Sequence, residues 1–236
     1  GRKNGVWTWW FEDGVKQSEG SYLDDERDGL WMYYSPDGSV AEEITFSSGN
    51  RDGRSTIWLT PEEKQEEKFY RNGTLDGPST FWENGYRNSM TTYKSDSPEG
   101  PWIIWYPNID QIKEQGYHQS GIREGLTTYY YNDGTMQREG YFKDGLPDGI
   151  WTYWNAKGQK DFDFDFGTGL EHIALEDLAE RESVFYKIGV DTPFTGIITQ
   201  ENPDAGYLFL GRTKKGKKDG QWVKWFPGGK EVPEII

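Results

Sequence analysis

The chain has 236 residues, no cysteine, a formal charge of −14 and a pI near 4.6. These totals exclude disulfides, thiolate chemistry and cysteine-type zinc sites, and they disfavour nucleic acid and anionic membrane surfaces, whose recognition needs clustered Lys and Arg. Apolar residues are only 33%, yet aromatics reach 17%, with 12 Trp, 15 Tyr, 12 Phe and 30 Gly, a composition that suits a folded, strand-rich chain rather than disorder.

The same short unit returns along the sequence. Its anchor is a glycine before an aromatic strand: Gly5, Gly29, Gly53, Gly77, Gly100, Gly125, Gly149, then Gly196 and Gly220. Successive gaps are 24, 24, 24, 23, 25 and 24, then 47, close to two periods, then 24. An acid precedes most anchors: Asp28, Asp52, Asp76, Glu99, Glu124, Asp148 and Asp219, with Asn4 and Thr195 as departures. Two residues after the anchor come Trp7, Trp31, Trp102, Trp151 and Trp222, replaced elsewhere by Ser55, Ser79, Thr127 and Ile198. Five after it comes a ring every time but one: Trp10, Tyr34, Trp58, Trp82, Trp105, Tyr130, Trp154 and Trp225. A turn follows, as Asp13–Gly14, Asp37–Gly38 or Asp133–Gly134, with Lys157–Gly158 and Gly228–Gly229 as variants, and then a second strand such as Glu19–Gly20–Ser21–Tyr22.

Asp-Gly between aromatic runs is a hairpin signal, because the turn needs positive φ and glycine supplies it without a Cβ clash. Offsets two and four share one face of a strand and offset five lies on the other. The expected fold is therefore all-β, an elongated antiparallel meander of stacked β-hairpin repeats with a period of about 24, its columns forming ladders of rings. Neighbouring rings add about 0.5–1.5 kcal/mol per pair.

The unit G-x-x-D-G-x-W-x-x-Y-x-x-D-G-x-x-x-x-E-G-x-Y resembles the MORN repeat, in the bacterial variant labelled YwqK-like antitoxin. The resemblance covers about residues 1–167 and 186–236, and the stretch Leu175–Gly196 looks like the lead-in to such repeats. It implies stacked hairpins, no enzyme activity and no cofactor, and a role as scaffold or lipid-contacting module. The acid excess speaks against the lipid role, so a membrane surface is not the expected partner.

Departures from the pattern carry their own expectations. Repeat three loses its turn glycine and has Glu62–Lys68, EEKQEEK, predicting a longer, charged hairpin tip; repeat five has Tyr106–Asp110, YPNID, there. In residues 168–183, Thr168 with Glu171 reads as a capping box, and Leu170, Ile173, Ala174 and Leu178 fall on one helical face. This predicts a short helix near 170–182, and three parts: hairpin repeats at 1–167, a helical linker or cap at 168–184, and further repeats at 185–236. Gly1 opens inside a repeat, so the chain reads as trimmed, with a lean toward an exported or cell-envelope protein.

No nucleophile–base pair stands out. His118 is expected to face solvent and His172 to lie in the helix; no G-x-S-x-G exists. Asp161, Asp163 and Asp165 stand at the first ligand positions of a calcium loop, but Phe166 and His172 occupy its sixth and twelfth places, where glycine and glutamate are required. Strict alternation instead makes this a strand with Phe162, Phe164 and Phe166 on one face. The acid column reads as turn chemistry, with a cation ladder as the alternative. The basic cluster Arg212–Lys218 reads as a solvated loop or a dock for acids. The expectation is a non-enzymatic scaffold, without metal or cofactor, that binds a protein partner. Its candidate interaction surface is the offset-five column: Trp10, Tyr34, Trp58, Trp82, Trp105, Tyr130, Trp154 and Trp225. The alternative is a carbohydrate- or cell-envelope-binding module that stacks sugars on those rings.

Overall fold

A computed structural model describes residues 1–202, 207–226 and 234–235. It is all-β and divides into two compact units, Gly1–Ile122 and Arg123–Ile236. The turn variant Gly228–Gly229 lies outside the described residues.

The first unit holds five hairpins in chain order: β1 (Gly5–Trp10) with β2 (Lys16–Leu23), β3 (Glu26–Tyr34) with β4 (Val40–Ser47), β5 (Asn50–Thr60) with β6 (Glu63–Arg71), β7 (Thr74–Glu83) with β8 (Tyr86–Lys94), and β9 (Ser97–Trp105) with β10 (Ile112–Gln119). Within the unit, consecutive strands pair antiparallel, so its described residues form a single sheet.

The second unit opens with β11 (Ile122–Tyr130), β12 (Met136–Lys143), β13 (Leu146–Trp154) and β14 (Lys160–Asp165), paired antiparallel in chain order. Then come β15 (His172–Ala174), a 3-10 turn (Leu175–Asp177), β16 (Leu178–Arg181) and β17 (Val184–Lys187). They are followed by β18 (Gly196–Asn202), β19 (Tyr207–Lys214), β20 (Lys217–Trp225) and β21 (Glu234–Ile235). A second sheet has the order β15-β18-β19-β20-β21, and β16 pairs with β17 by themselves. Ile197, Leu208, Leu210, Val223 and Trp225 of the second sheet pack against Tyr153, Phe162, Phe164 and Phe166 of β13, β14 and the residue beyond it. Its other face buries Ile198 and Trp222 against Phe185 and Phe194. This unit is layered, where the first is not.

Two kinds of turn close the hairpins. At one end Asp13, Asp37 and Asp133 accept from the backbone N–H of Val15, Ser39 and Thr135, at 3.0, 2.9 and 2.9 Å. The glycine between is left-handed, as at Gly14 (φ 84°). At the other end, turns such as Asn72–Gly73 (φ 48° and 88°) and Asp144–Gly145 (φ 52° and 81°) hold positive φ at both central residues, the twist that matches paired strands.

The offset-two tryptophans explain the glycine of the Glu-Gly motif. A Cβ on Gly20 would lie 2.2 Å from the Trp31 ring, one on Gly140 2.2 Å from Trp151, and one on Gly211 2.6 Å from Trp222. Each indole therefore lies flat on the preceding strand, and its Nε1 donates to the carbonyl one residue past the glycine: Trp31 to Ser21 at 3.0 Å, Trp151 to Tyr141 at 3.1 Å and Trp222 to Arg212 at 2.9 Å. Where serine replaces the ring, the volumes trade places: Ser55 stands opposite Ile44, which is 3% exposed.

Three expectations change. Residues 168–183 form no α-helix, only the single 3-10 turn: Gly167 and Gly169 both sit at φ 67°, which breaks a right-handed start around Thr168. His172–Ala174 instead joins β18 in parallel, and Leu178–Arg181 pairs with Val184–Lys187. The apolar residues of the imagined helical stripe are shared between two clusters, Leu170 with one and Ile173, Leu175 and Leu178 with the other. The tip of repeat three is short, because Pro61–Glu62 turns the chain directly and Thr60 pairs with Glu63; proline presets the φ such a turn needs. His118 is half-buried rather than freely solvated; its imidazole stacks on Trp102 with centroids 5.7 Å apart and planes 29° apart.

Candidate interaction surface

In six hairpins of the meander the register slips between offsets four and five: at Trp9/Trp10, Tyr33/Tyr34, Ile57/Trp58, Phe81/Trp82, Tyr129/Tyr130 and Tyr153/Trp154; β5 slips a second time at Trp58/Thr60, and β18 pairs with β19 without a slip. One extra residue on the partner strand, such as Gln17 between Lys16 and Ser18, makes a bulge, and a bulge re-aims the side chains beside it. The slip sets the offset-five ring against the first or second residue of the second strand, which is Lys16, Lys64, Arg87 or Lys160 in four repeats.

The outcome is a ladder of rings joined by cations. Lys16 Nζ lies 5.5 Å from the Tyr34 ring, Lys64 Nζ lies 5.7 Å from Trp58 and 5.5 Å from Trp82, and the Arg87 guanidinium lies 4.8 Å from Trp105. Each contact contributes about 0.5–1 kcal/mol at an exposed site. The rungs differ in exposure. Trp10 is 60% exposed; Tyr34, Trp58, Trp82, Tyr130 and Trp154 are half-buried; Trp105 is buried under Arg87. Trp225 belongs to the second unit's core, 1% exposed, with its Nε1 donating to Asp161 at 3.1 Å.

The same face carries offset three. Thr8 Oγ1 donates to Glu19 at 3.0 Å while Lys16 Nζ donates to the same carboxylate at 2.9 Å. Thr152, Asp163 and Lys160 repeat the trio at 2.8 and 2.6 Å. The lysine ammonium, and secondarily the threonine hydroxyl, hold both carboxylates below their usual range. These charges are satisfied within their own hairpins.

Offset one completes the face, and sequence reasoning missed it. Val6, Leu30, Leu126 and Ile150 are exposed by 69, 52, 47 and 64%. The signal was available: an apolar residue follows Gly5, Gly29, Gly77, Gly100, Gly125 and Gly149. In the first unit this row (Val6, Leu30, Arg54, Pro78, Pro101) runs beside the Thr/Glu row and the ring/cation row. The resulting surface is apolar at one margin, aromatic at the other and charged between.

The acid column lies elsewhere, along the turns. Asp52 accepts from the N–H of Asn72 at 3.0 Å, Glu99 from Ser120 at 2.6 Å and Glu124 from Asp144 at 3.0 Å. The departures do the same with neutral oxygens: Asn4 accepts from Asp24 at 2.9 Å and Thr195 from Lys215 at 2.8 Å. Each donor is the first left-handed residue of the next turn. The column laces one hairpin tip to the next.

The remaining candidates are absorbed by packing. Phe162, Phe164 and Phe166 are buried, and Asp163 and Asp165 face outward. Among the described residues no three His, Cys, Asp or Glu side chains are grouped to hold a metal ion. Arg212 pairs with Asp219 at 3.3 Å, and Lys218 Nζ lies 4.8 Å from the Trp222 ring, so the basic cluster contacts its own chain. His172 stacks on Phe166 at 5.5 Å and 5°. Burial lowers its pKa from 6.5, with the Asp148 charge opposing.

Comparison with known families agrees with this architecture. The family model of the MORN repeat variant matches residues 3–24, 27–48 and 123–144, each running from an anchor region into the following turn. MORN repeats are in general protein- or membrane-binding scaffold modules. No curated protein matches the chain.

Proposed function

We propose that the chain is a non-enzymatic repeat scaffold whose first unit binds a protein partner through the face bearing offsets one, three and five. The observation that carries this reading is the bare end of that face. Val6, Trp10 and Leu30 are 69, 60 and 52% exposed on β1 and β3, beside satisfied Thr8–Glu19–Lys16 polar groups, and the described residues of this unit form a single sheet. An apolar patch with a polar border is what protein interfaces offer, and Trp is a frequent energetic anchor in them. The finer form, a toxin as partner, follows from the likeness to YwqK-like antitoxin repeats. The test is affinity capture with the intact chain beside Leu30→Glu and Trp10→Ala variants. A partner held stoichiometrically by the parent chain and lost from both variants supports the reading; no protein held at any salt, or one held equally by all three, overturns it.

Carbohydrate binding keeps support at one rung. Trp10 is the exposed ring of the column, whereas Lys64 and Arg87 sit over the rings of Trp58, Trp82 and Trp105, where a sugar would stack. Retardation of the chain in polysaccharide gels, abolished by Trp10→Ala, would favour that reading over the protein scaffold.

A further inference from the structure

The second unit contains a cavity of about 300 Å³ between its two sheets, lined by residues of β11, β12, β13, β15, β18 and β19. That volume is at the lower end for small-molecule sites. The walls are largely rings, among them Tyr129, Phe142, Trp151 and Phe166, closed by Leu208 and Leu210. Solvent reaches it beside Leu146 and Glu201, which line the cavity and are exposed.

One charge stands inside. The guanidinium of Arg138 lies 4.1 Å from the Tyr129 ring centroid. Its Nη1 and Nη2 both reach the same oxygen of Glu201, at 3.3 and 3.4 Å, and its Nε is buried with no hydrogen-bond partner. Two long bonds to a single oxygen, from a carboxylate that is itself 66% exposed, are a weak answer to a cation whose own side chain is 19% exposed. A buried donor left unmade costs about 1–3 kcal/mol. The Nε edge of a guanidinium is the edge that grips a carboxylate with two parallel bonds. Thr199 and His172 supply further polar atoms of the lining.

We propose that this cavity binds a small ring-bearing carboxylic acid, its carboxylate bridging Nε and a terminal nitrogen of Arg138 in place of Glu201, and its ring lying among Phe142, Trp151 and Phe166. Neither the repeat pattern nor the scaffold reading calls for such a site. It arises where the second sheet lies on β12 and β13 and leaves Arg138 between them.

The test uses 3-phenylpropionate as probe on the intact chain, with 3-phenylpropionamide as the uncharged control, followed by NMR of the Arg138 Nε–H and of the Thr199 and His172 signals. The acid should shift all three saturably and bind about tenfold or more tightly than the amide, since charge-assisted bonds are the stronger kind. Arg138→Met should remove the preference for the acid. Glu201→Gln, a change at an exposed side chain that leaves the rings in place, should tighten acid binding by freeing the guanidinium. Equal binding of acid and amide, shifts confined to other residues, no shift at millimolar probe, or weaker acid binding in Glu201→Gln would each overturn the proposal.

Discussion

Trp31 and Trp151 occupy the same position of the same repeat, each flat on a glycine of the preceding strand and each donating to a carbonyl there. Their surroundings differ. Trp31 is enclosed by side chains of its own sheet, among them the rings of Trp9, Tyr22, Tyr33 and Phe46, with centroids 5.0 to 6.2 Å away. Trp151 belongs to a cluster that reaches through Tyr153 and Phe166 to Leu210, Val223 and Trp225 of a second sheet. One local device thus serves two kinds of stability. In the first unit it operates with laced turns and ring–cation contacts and leaves a face uncovered; in the second it seats one wall of a layered core. A repeat that satisfies itself within one layer is free to present a surface.

That contrast can be broken at several points. The largest effect is expected for Trp225→Ala, which opens a hole beside Tyr153 and Phe162 (centroids 5.1 and 6.2 Å) and leaves the Asp161 carboxylate without its indole donor. It should destabilise the second unit by about 3–5 kcal/mol and leave the first unit's denaturant midpoint unchanged. Next come the paired glycine substitutions. Gly140→Ala drives a methyl into an indole backed by a second sheet and should cost about 1–3 kcal/mol. Gly20→Ala should cost less, because Trp31 can lift from a single-layer sheet; equal losses in the two would show that layering does not matter to the indole seat.

The lacing is the next smaller term. Asp52→Ala removes the acceptor for Asn72 N–H and should lower the first unit's stability by about 1 kcal/mol, with Asp52→Asn recovering most of it, as Asn4 already does naturally. The smallest effect concerns pH. His172 is half-buried, and that burial lowers its pKa from 6.5, so the unfolded chain takes up its proton first. Its contribution is complete above pH 6.5 and is lost as pH falls through the lower, folded-state value. Thermal melts of the second unit should therefore fall on acidification below pH 6.5 more steeply than those of His172→Asn.

What the sequence disclosed, and what it withheld, follows the range of the interactions. Hairpins were legible because their causes are local: Asp13–Gly14 fixes a turn, and the ring columns repeat with the anchor. The use of the acid column as turn chemistry was legible too, since an acid before a left-handed glycine has a backbone task nearby, although the actual donor lies about 20 residues on, as in Asp52 with Asn72. Residues 168–183 were misread because β15 pairs in parallel with β18, some 25 residues later, and such a partner leaves no periodicity in the strand that receives it. The exposure of the row at Val6 and Leu30 was not legible because an apolar residue on one face of a strand reads the same whether that face is covered or bare. The cavity around Arg138 was not foreseeable: Arg138 meets Glu201 across 63 positions of chain.

Residue-resolved amide hydrogen exchange on the intact chain tests the central claim most directly. If the first unit is a single layer held hairpin by hairpin, amides of β2 to β9 should exchange through local openings of low free energy, while β12, β13, β19 and β20 exchange only with cooperative unfolding of the layered core. Uniform protection across both units, lost together in one transition, would contradict it.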